Sequence, residues 1–293
     1  MAAYKVPDSF VPDVAQEAIV EGIAGAIVLY GSPAAIVRND LVTNGAMRDG
    51  DEISIEYYGM IPPYQRNVPQ EVGLSPEKGT NTIEKAPAYQ HGLRVDWSKW
   101  YECVERGKRT GKDPYVLFAA MFVEQFVHLA EDILIETART GLDSAYIHDV
   151  SGAGKKMGWD EIADTKLKFG DEGDRIALMS VHSVVKNNLT KERDSMNRPL
   201  YLDPMSGGSD IPRIQGVAVK VSDKNYVSSG TYDSLYLQPG AIAMRHSTPT
   251  AEPFRDPISN VEGLVSWVWT GAIRYKKLPG KTRPGVGICR SKG

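Results

Sequence analysis

Apolar and polar positions along this chain recur at two different periods, and the change of period marks its elements. The strongest helical signal runs from Asp113 to Gly141, DPYVLFAAMFVEQFVHLAEDILIETARTG. Phe118, Phe122, Phe126, Leu129 and Ile133 recur at helical spacing. Val116, Val123, Val127 and Leu134 widen that stripe, and Glu124, Glu131, Asp132 and Glu136 fall on the polar side. Asp113 suits the N-cap, Pro114 the first helical position and Gly141 a left-handed stop. At ~1.5 Å per residue the rod is roughly 40 Å long, and its apolar stripe needs a sheet or a second helix laid along it.

Elsewhere the period is two. Ile53, Ile55, Tyr57 and Ile61 alternate with Ser54, Glu56, Tyr58 and Met60, and Tyr89, His91, Leu93, Val95 and Trp97 form a second alternating run. Between them PPYQRNVPQEVGLSPEKG is broken by proline and glycine, so residues 48–98 predict one long hairpin with an elaborate tip. A two-stranded ribbon is marginal alone in water and must lie on another surface. Residues 1–47 predict an arm with a short helix through Val14, Ala18, Ile19, Ile23, Ile27 and Val28, weakened by Gly22, Gly25, Gly31 and Pro33. That arm is too small for a core of its own and packs on the body or on a neighbouring subunit. The link ERGKRTGK carries Arg106, Lys108, Arg109 and Lys112, which suit a phosphate contact but more commonly form a solvated turn.

Beyond the long helix, SGAGKKMGWDE reads as a flexible glycine-rich loop. It fails as a phosphate loop because Asp149 stands at the first glycine position and Lys156 at the Ser/Thr position; Met157 stands at the third glycine of a dinucleotide fingerprint. Residues 174–260 predict a compact α/β unit. DRIALMSVH reads as a buried strand, SVVKNNLTKERD as a short helix, and IPRIQGVAVKVSD as a strand with Val217, Val219 and Val221 alternating. YDSLYLQPGAIAMRH follows as a strand and turn pair, and EPFRDP as a polar corner. LVSWVWTGAIRYKKLPG has the β-branched and aromatic content of a strand, and its Leu264, Trp267, Trp269 and Ile273 are the expected partners of the helical stripe. KTRPGVGICRSKG reads as a short basic tail.

With 42% hydrophobic residues the chain can build a sizeable core. A net charge of −3 and a pI near 6.0 argue against a general nucleic-acid binding surface. Two cysteines, Cys103 and Cys289, make neither a disulfide framework nor a zinc site, and a reduced intracellular origin is expected. MAAYKVPDSF has no export-signal pattern and no run of about eighteen apolar residues occurs, so neither secretion nor a membrane span is expected.

Nucleophile elbow, HExxH and CxxC are all absent, and His91, His128, His148, His182 and His246 are scattered. His91 reads as a half-buried strand residue rather than a ligand. His182 ends an apolar strand, a place catalytic residues occupy in α/β enzymes, although a polar residue at a strand-to-helix turn is the commoner reading. Glu131 and Asp132 are adjacent, diverge around the helix and read as a solvated face. No catalytic, cofactor-binding or metal-ligating residue is nominated.

The order of elements is more telling than any single motif. GDEISIEYYG leads into an extended loop, and DPYVLFAAMFVEQFVHLAEDILIETA forms a spine helix. RIALMSVHSVVKNNL supplies a strand and helix. IPRIQGVAVKVSD, YDSLYLQPGAIAMRH and EPFRDP precede a final strand. In this order the chain resembles the major capsid proteins of tailed bacteriophages, with the Hong Kong ninety-seven fold. The resemblance implies an α+β chain with an N-terminal arm at 1–47 and an extended loop at 48–98. It also implies a peripheral domain at 99–150 and 245–277 with spine helix 113–141, and an axial domain at 151–244 and 278–293. It implies hexamers and pentamers of the chain closing an icosahedral virion shell around double-stranded DNA held without sequence-specific contacts, assembled in the bacterial host cytoplasm. The implied partners are further copies of the chain together with scaffolding, portal and decoration proteins, with no membrane, catalytic site, cofactor or metal. Some relatives link a loop lysine to an asparagine of a neighbour. Lys78 and Lys85 lie in this loop, but no matching asparagine or glutamate motif is found, and that chemistry is not carried over. Two alternatives stay open: an encapsulin-type nanocompartment shell, and a soluble α/β enzyme with a dispersed site such as His182, Asp174 and Arg245.

Overall fold

The computed structural model describes residues 32–41, 48–58, 81–96, 102, 105–109, 111, 114–193, 196, 213–250, 252–256, 261–276, 278 and 283–293. Strands β1 (Ala35–Arg38), β2 (Glu52–Tyr58), β3 (Asn81–Pro87) and β4 (Tyr89–Asp96) precede helix α1 (Pro114–Arg139). After it come β5 (Ile147–Asp149), α2 (Trp159–Leu167), β6 (Leu178–Val181), α3 (Ser183–Lys191), β7 (Arg213–Ile214), β8 (Val217–Val221) and β9 (Tyr226–Ser228). The chain continues through β10 (Thr231–Leu237), β11 (Ile242–His246), β12 (Glu252–Asp256), β13 (Val261–Arg274) and β14 (Val286–Lys292). These elements fall into two compact units. One comprises Met1–Ile53, Pro87–Glu136 and Met244–Ala272; the other comprises Ser54–Ala86, Thr137–Ala243 and Ile273–Gly293. Asp113, Lys78, Lys112, Cys103, most of the predicted arm and the predicted hairpin tip lie outside the described residues.

The first unit carries most of α1 and a five-stranded sheet in the order β1-β11-β13-β12, with β4 also on β13. The periodic segment folds as the expected helix, 26 residues long, with Gly141 at φ +65° just beyond it. Its buried stripe is Ala119, Phe122, Phe126, Ala130, Leu134 and Ala138, with Ile135 also buried beside it, and it is turned slightly from the expected one, since Leu129 and Ile133 are only half-buried. Alanine at three of those positions removes side-chain bulk where the helix meets its neighbours. Glu131 and Asp132 are half-buried, so the solvated-face expectation holds only for Glu124 and Glu136.

The sheet supports the helix with a different face of β13 from the one expected. Leu264, Ser266, Val268 and Thr270 are buried, whereas Trp267 is 43% exposed and Trp269 half-buried. Strand side chains alternate faces, so only one of the two sets can point inward. The smaller set does, and Phe122 and Phe126 of the helix supply the bulk. Two further expectations change. Tyr89–Asp96 does not close a hairpin with Glu52–Tyr58; it pairs antiparallel with β13, from Gly263↔Asp96 to Thr270↔Tyr89. The partner of β2 is β3, in a separate two-stranded sheet. EPFRDP is no corner: Glu252–Asp256 is a strand, antiparallel to β13 from Glu252↔Val265 to Asp256↔Val261.

The second unit is built on a seven-stranded sheet in the order β5-β14-β10-β6-β8-β7, with β9 also on β10. β6 and β8 run parallel, from Leu178↔Ala218 to Val181↔Val221, with α3 lying between them in the chain. Asp233 to Leu237 of β10 are all buried, the run expected of a strand covered on both faces. Phe169, Met179, Val181, Val185, Leu189, Ile214, Val217, Val219 and Tyr236 form the core, with Ile162 of α2 packed among them. The basic tail is in fact an interior strand. Val286–Lys292 pairs with β10 from Thr231↔Lys292 to Leu237↔Val286 and runs parallel to β5 on its other side. The glycine-rich loop also ends earlier than expected. Trp159 opens α2, Met157 is 2% exposed in the core, and Lys156 bridges to Lys292.

Candidate functional site

The residues of the dispersed-enzyme alternative are divided between the two units. His182 is the N-cap of α3: its Nδ1 accepts the Val184 amide at 3.1 Å, its Nε2 lies 3.6 Å from Asp223 Oδ1, and its ring sits 4.5 Å from that of Tyr232. Capping the helix occupies Nδ1, and Nε2 faces the Asp223 carboxylate. Asp223 also takes the Ser183 amide at 3.1 Å, and the bonds from Ser183 hold its carboxyl below the usual range. Asp174 is fully exposed, with Lys166 Nζ at 3.7 Å as its ion partner. Arg245 belongs to the other unit, where its Nε donates to Asp40 Oδ1 at 2.7 Å. Each of the three is engaged in local structure.

The most organised charged group was not visible in the sequence. Asp233, 1% exposed in β10, accepts two hydrogen bonds from its cross-strand partner Arg290, Nε at 2.8 Å and Nη2 at 3.1 Å. Arg139, the last residue of α1, brings Nε to 3.5 Å of the same carboxylate, while its Nη2 donates to the Lys224 carbonyl at 3.3 Å. Arg274 donates to the Thr140 carbonyl at 3.0 Å. Two arginines thus hold the C-terminal turn of α1, where unsatisfied carbonyls gather. The available signal was a lone Asp inside YDSLYL, because a charge in an apolar strand needs a partner. The arrangement fixes structure and offers no reacting group. Cys289, buried in β14, is no nucleophile, since burial pushes its thiol up to about 12.

A groove of about 400 Å³ lies within the first unit, between α1 and the β4–β13 pair. Phe122, Gln125, Phe126 and Leu129 form one wall, with Leu93 and Val268 opposite. His91 lines it and shares a 2.9 Å hydrogen bond with Thr270 Oγ1, which fits the half-buried strand residue expected. Burial lowers its affinity for a proton, partly opposed by Asp49. Lys85 is exposed on β3. In the basic link, Lys108 pairs with Glu105 at 3.0 Å, and Arg106 and Arg109 are exposed. Among the described residues no cluster of three or more His, Cys, Asp or Glu side chains converges for a metal ion, and no helix is long and apolar enough to cross a membrane.

No protein-family model matches the chain, and no curated protein does. Solved structures do match. The capsid of a native GTA particle aligns with TM-score 0.58 at 12% identity, over 92% of this chain and 99% of that one. The capsid of Ralstonia phage GP4 aligns with TM-score 0.54 at 10% identity, over 100% of this chain and 96% of that one. The holo-SrpI encapsulin complex from Synechococcus elongatus aligns with TM-score 0.52 at 12% identity, over 72% of this chain and 77% of that one. At such identities the likeness is one of fold: this α+β chain has the Hong Kong ninety-seven fold of phage capsids and encapsulins.

Proposed function

We propose that this chain is a major capsid protein, a shell subunit that self-assembles through hexamers and pentamers into an icosahedral container for double-stranded DNA. The observation that carries the reading is end-to-end alignment with a phage capsid, 100% of this chain on 96% of the other, where the encapsulin alignment omits more than a quarter of this chain. The engagement of His182, Asp174 and Arg245 in local structure supports a building role over a catalytic one. In this reading residues 1–47 are the arm, rooted in the five-stranded sheet by Ala35–Arg38, and the ribbon of β2 and β3 within 48–98 is the extended loop; both reach adjacent subunits. The peripheral domain is 99–150 with 245–277, and the axial domain 151–244 with 278–293. Packaged DNA meets the wall without sequence-specific contacts, as a net charge of −3 suits. Scaffolding, portal and decoration proteins are its partners in the bacterial cytoplasm, and the virion is its destination.

The encapsulin alignment favours a second reading, a nanocompartment enclosing a protein cargo. Size-exclusion chromatography and negative-stain microscopy of the expressed chain test both, with rings or uniform shells expected. A stable monomer at every concentration overturns both readings. Shells from the native source that protect double-stranded DNA from nuclease support the capsid, and shells holding one enzyme support the nanocompartment. Deleting residues 62–78 should block assembly; unimpaired shells from that variant remove the loop from the subunit contacts.

A further inference from the structure

Two histidines of the first unit sit beneath α1 on strands that flank β13. His246 on β11 is 1% exposed, with its ring centroid 5.2 Å from that of Phe126 of the helix. Its Nδ1 lies 2.9 Å from the Ser247 carbonyl, which can only accept, so Nδ1 carries the hydrogen. His91 on β4 stands in register with Val268 of β13 and lines the groove closed by Phe122 and Phe126. The described residues lining that groove are apolar or neutral: the helix offers Gln125 and β13 offers Ser266. Carboxylates stand near each ring, Asp49 by His91 and Asp40 by His246, but Asp40 is already engaged by Arg245 at 2.7 Å. Of the charged residues of α1, Glu124 and His128 are exposed and 3.9 Å from each other, and Glu131 and Asp132 are half-buried.

We propose that His91 and His246 together make the seating of α1 on the five-stranded sheet acid-sensitive: charging the pair loosens this unit while the seven-stranded sheet stays folded. The device is a neutral, half-apolar layer that tolerates imidazole and not imidazolium. Burial lowers the proton affinity of both rings and outweighs the nearby carboxylates. The sign follows by linkage. Above the ordinary histidine value of about 6.5 both states are neutral and pH has no effect. Below it the opened state binds protons first, so the equilibrium shifts toward opening as pH falls to the folded values. Within that window the opening constant rises by up to about tenfold per pH unit for each histidine. The second unit has its own histidines: His148 lies on β5 of the seven-stranded sheet and His182 caps α3.

Hydrogen exchange of the full-length chain, held in one assembly state and corrected for intrinsic rates, tests this between pH 7.5 and 5. Peptides spanning 119–136 and 263–270 should lose protection below about pH 6.5, and those spanning 178–181, 231–237 and 286–292 should not. The conservative H91Q and the double H91Q/H246Q should flatten the acid limb stepwise. Protection that is flat with pH, falls equally in both units, or falls unchanged in H91Q overturns the proposal. The first two outcomes are read on the unmodified chain, so they do not depend on the double variant folding.

Discussion

The Asp233 centre gives the sharpest energetic prediction. Asp233→Asn keeps the side chain's shape but removes its charge and replaces one acceptor oxygen by a donor facing two guanidinium groups. Breaking a buried ion pair by removing one member costs about 3–5 kcal/mol, because the remaining charge is stranded. Here Asp233 is 1% exposed, but the side chains of Arg290 and Arg139 are 32% and 23% exposed, so water can reach the stranded cations. The cost therefore falls near the lower end, about 3 kcal/mol. With a urea m-value of about 3 kcal/mol/M, the unfolding midpoint of the unassembled subunit should drop by about 1 M. Protection along β10 and β14, which share the pair, should fall with it. In a double-mutant cycle with Arg290→Gln, the combined loss should be at least about 1 kcal/mol less than the sum of the single losses. A loss under about 1 kcal/mol, the worth of an exposed pair, or simple additivity, refutes the reasoning.

Four further outcomes follow from packing and ionisation. Gly271→Ala should cost about 2 kcal/mol in denaturant melts, since its Cβ would collide with buried Ile53 and stand 3.1 Å from the Pro87 carbonyl. Gly92→Ala, whose Cβ meets only the half-exposed Trp267 ring, should cost under about 1 kcal/mol, with Trp267 swinging outward and its fluorescence shifting. Cys289 should resist alkylation in the native chain at pH 9, as read by peptide mass spectrometry, and react fully after denaturation. Its folded thiol ionises only at about 12 whereas the unfolded one ionises near the ordinary value, so stability should decline as pH rises between the two. Leu134→Ala, at a fully buried position of α1, should lower stability by about 2–5 kcal/mol.

What the sequence disclosed follows from how each element is stabilised. α1 was legible because its 3.6-residue period, Pro114 and Gly141 are local signals. β6, α3 and β10 were legible for the same reason, as apolar runs between turn residues. Pairing was less legible. Asn81–Pro87, the partner of β2, has little apolar alternation, so the stronger pattern at Tyr89–Asp96 drew the pairing to itself; that pattern reflects the face β4 turns toward α1. β13 misled through bulk, since Trp267 and Trp269 looked like core while Ser266 and Thr270 occupy it. β14 was unreadable alone, because GVGICRSK becomes interior only through β10 and β5 on either side. The Asp233 centre joins three segments far apart in sequence, and no local pattern announces such a group.

The division into two units has a consequence for how the chain must fold. The backbone passes between them at 53/54, 86/87, 136/137, 243/244 and 272/273, so neither unit is a contiguous fragment. α1 and β13 each begin in one unit and end in the other. Neither unit can therefore be excised, expressed or nucleated as an uninterrupted length of chain, and both sheets must recruit strands from distant parts of the sequence. Such high contact order makes for slow, concerted folding in which strand edges stay open for long periods. A single proteolytic nick within either unit should leave two fragments that each carry part of that unit, held together without a covalent bond.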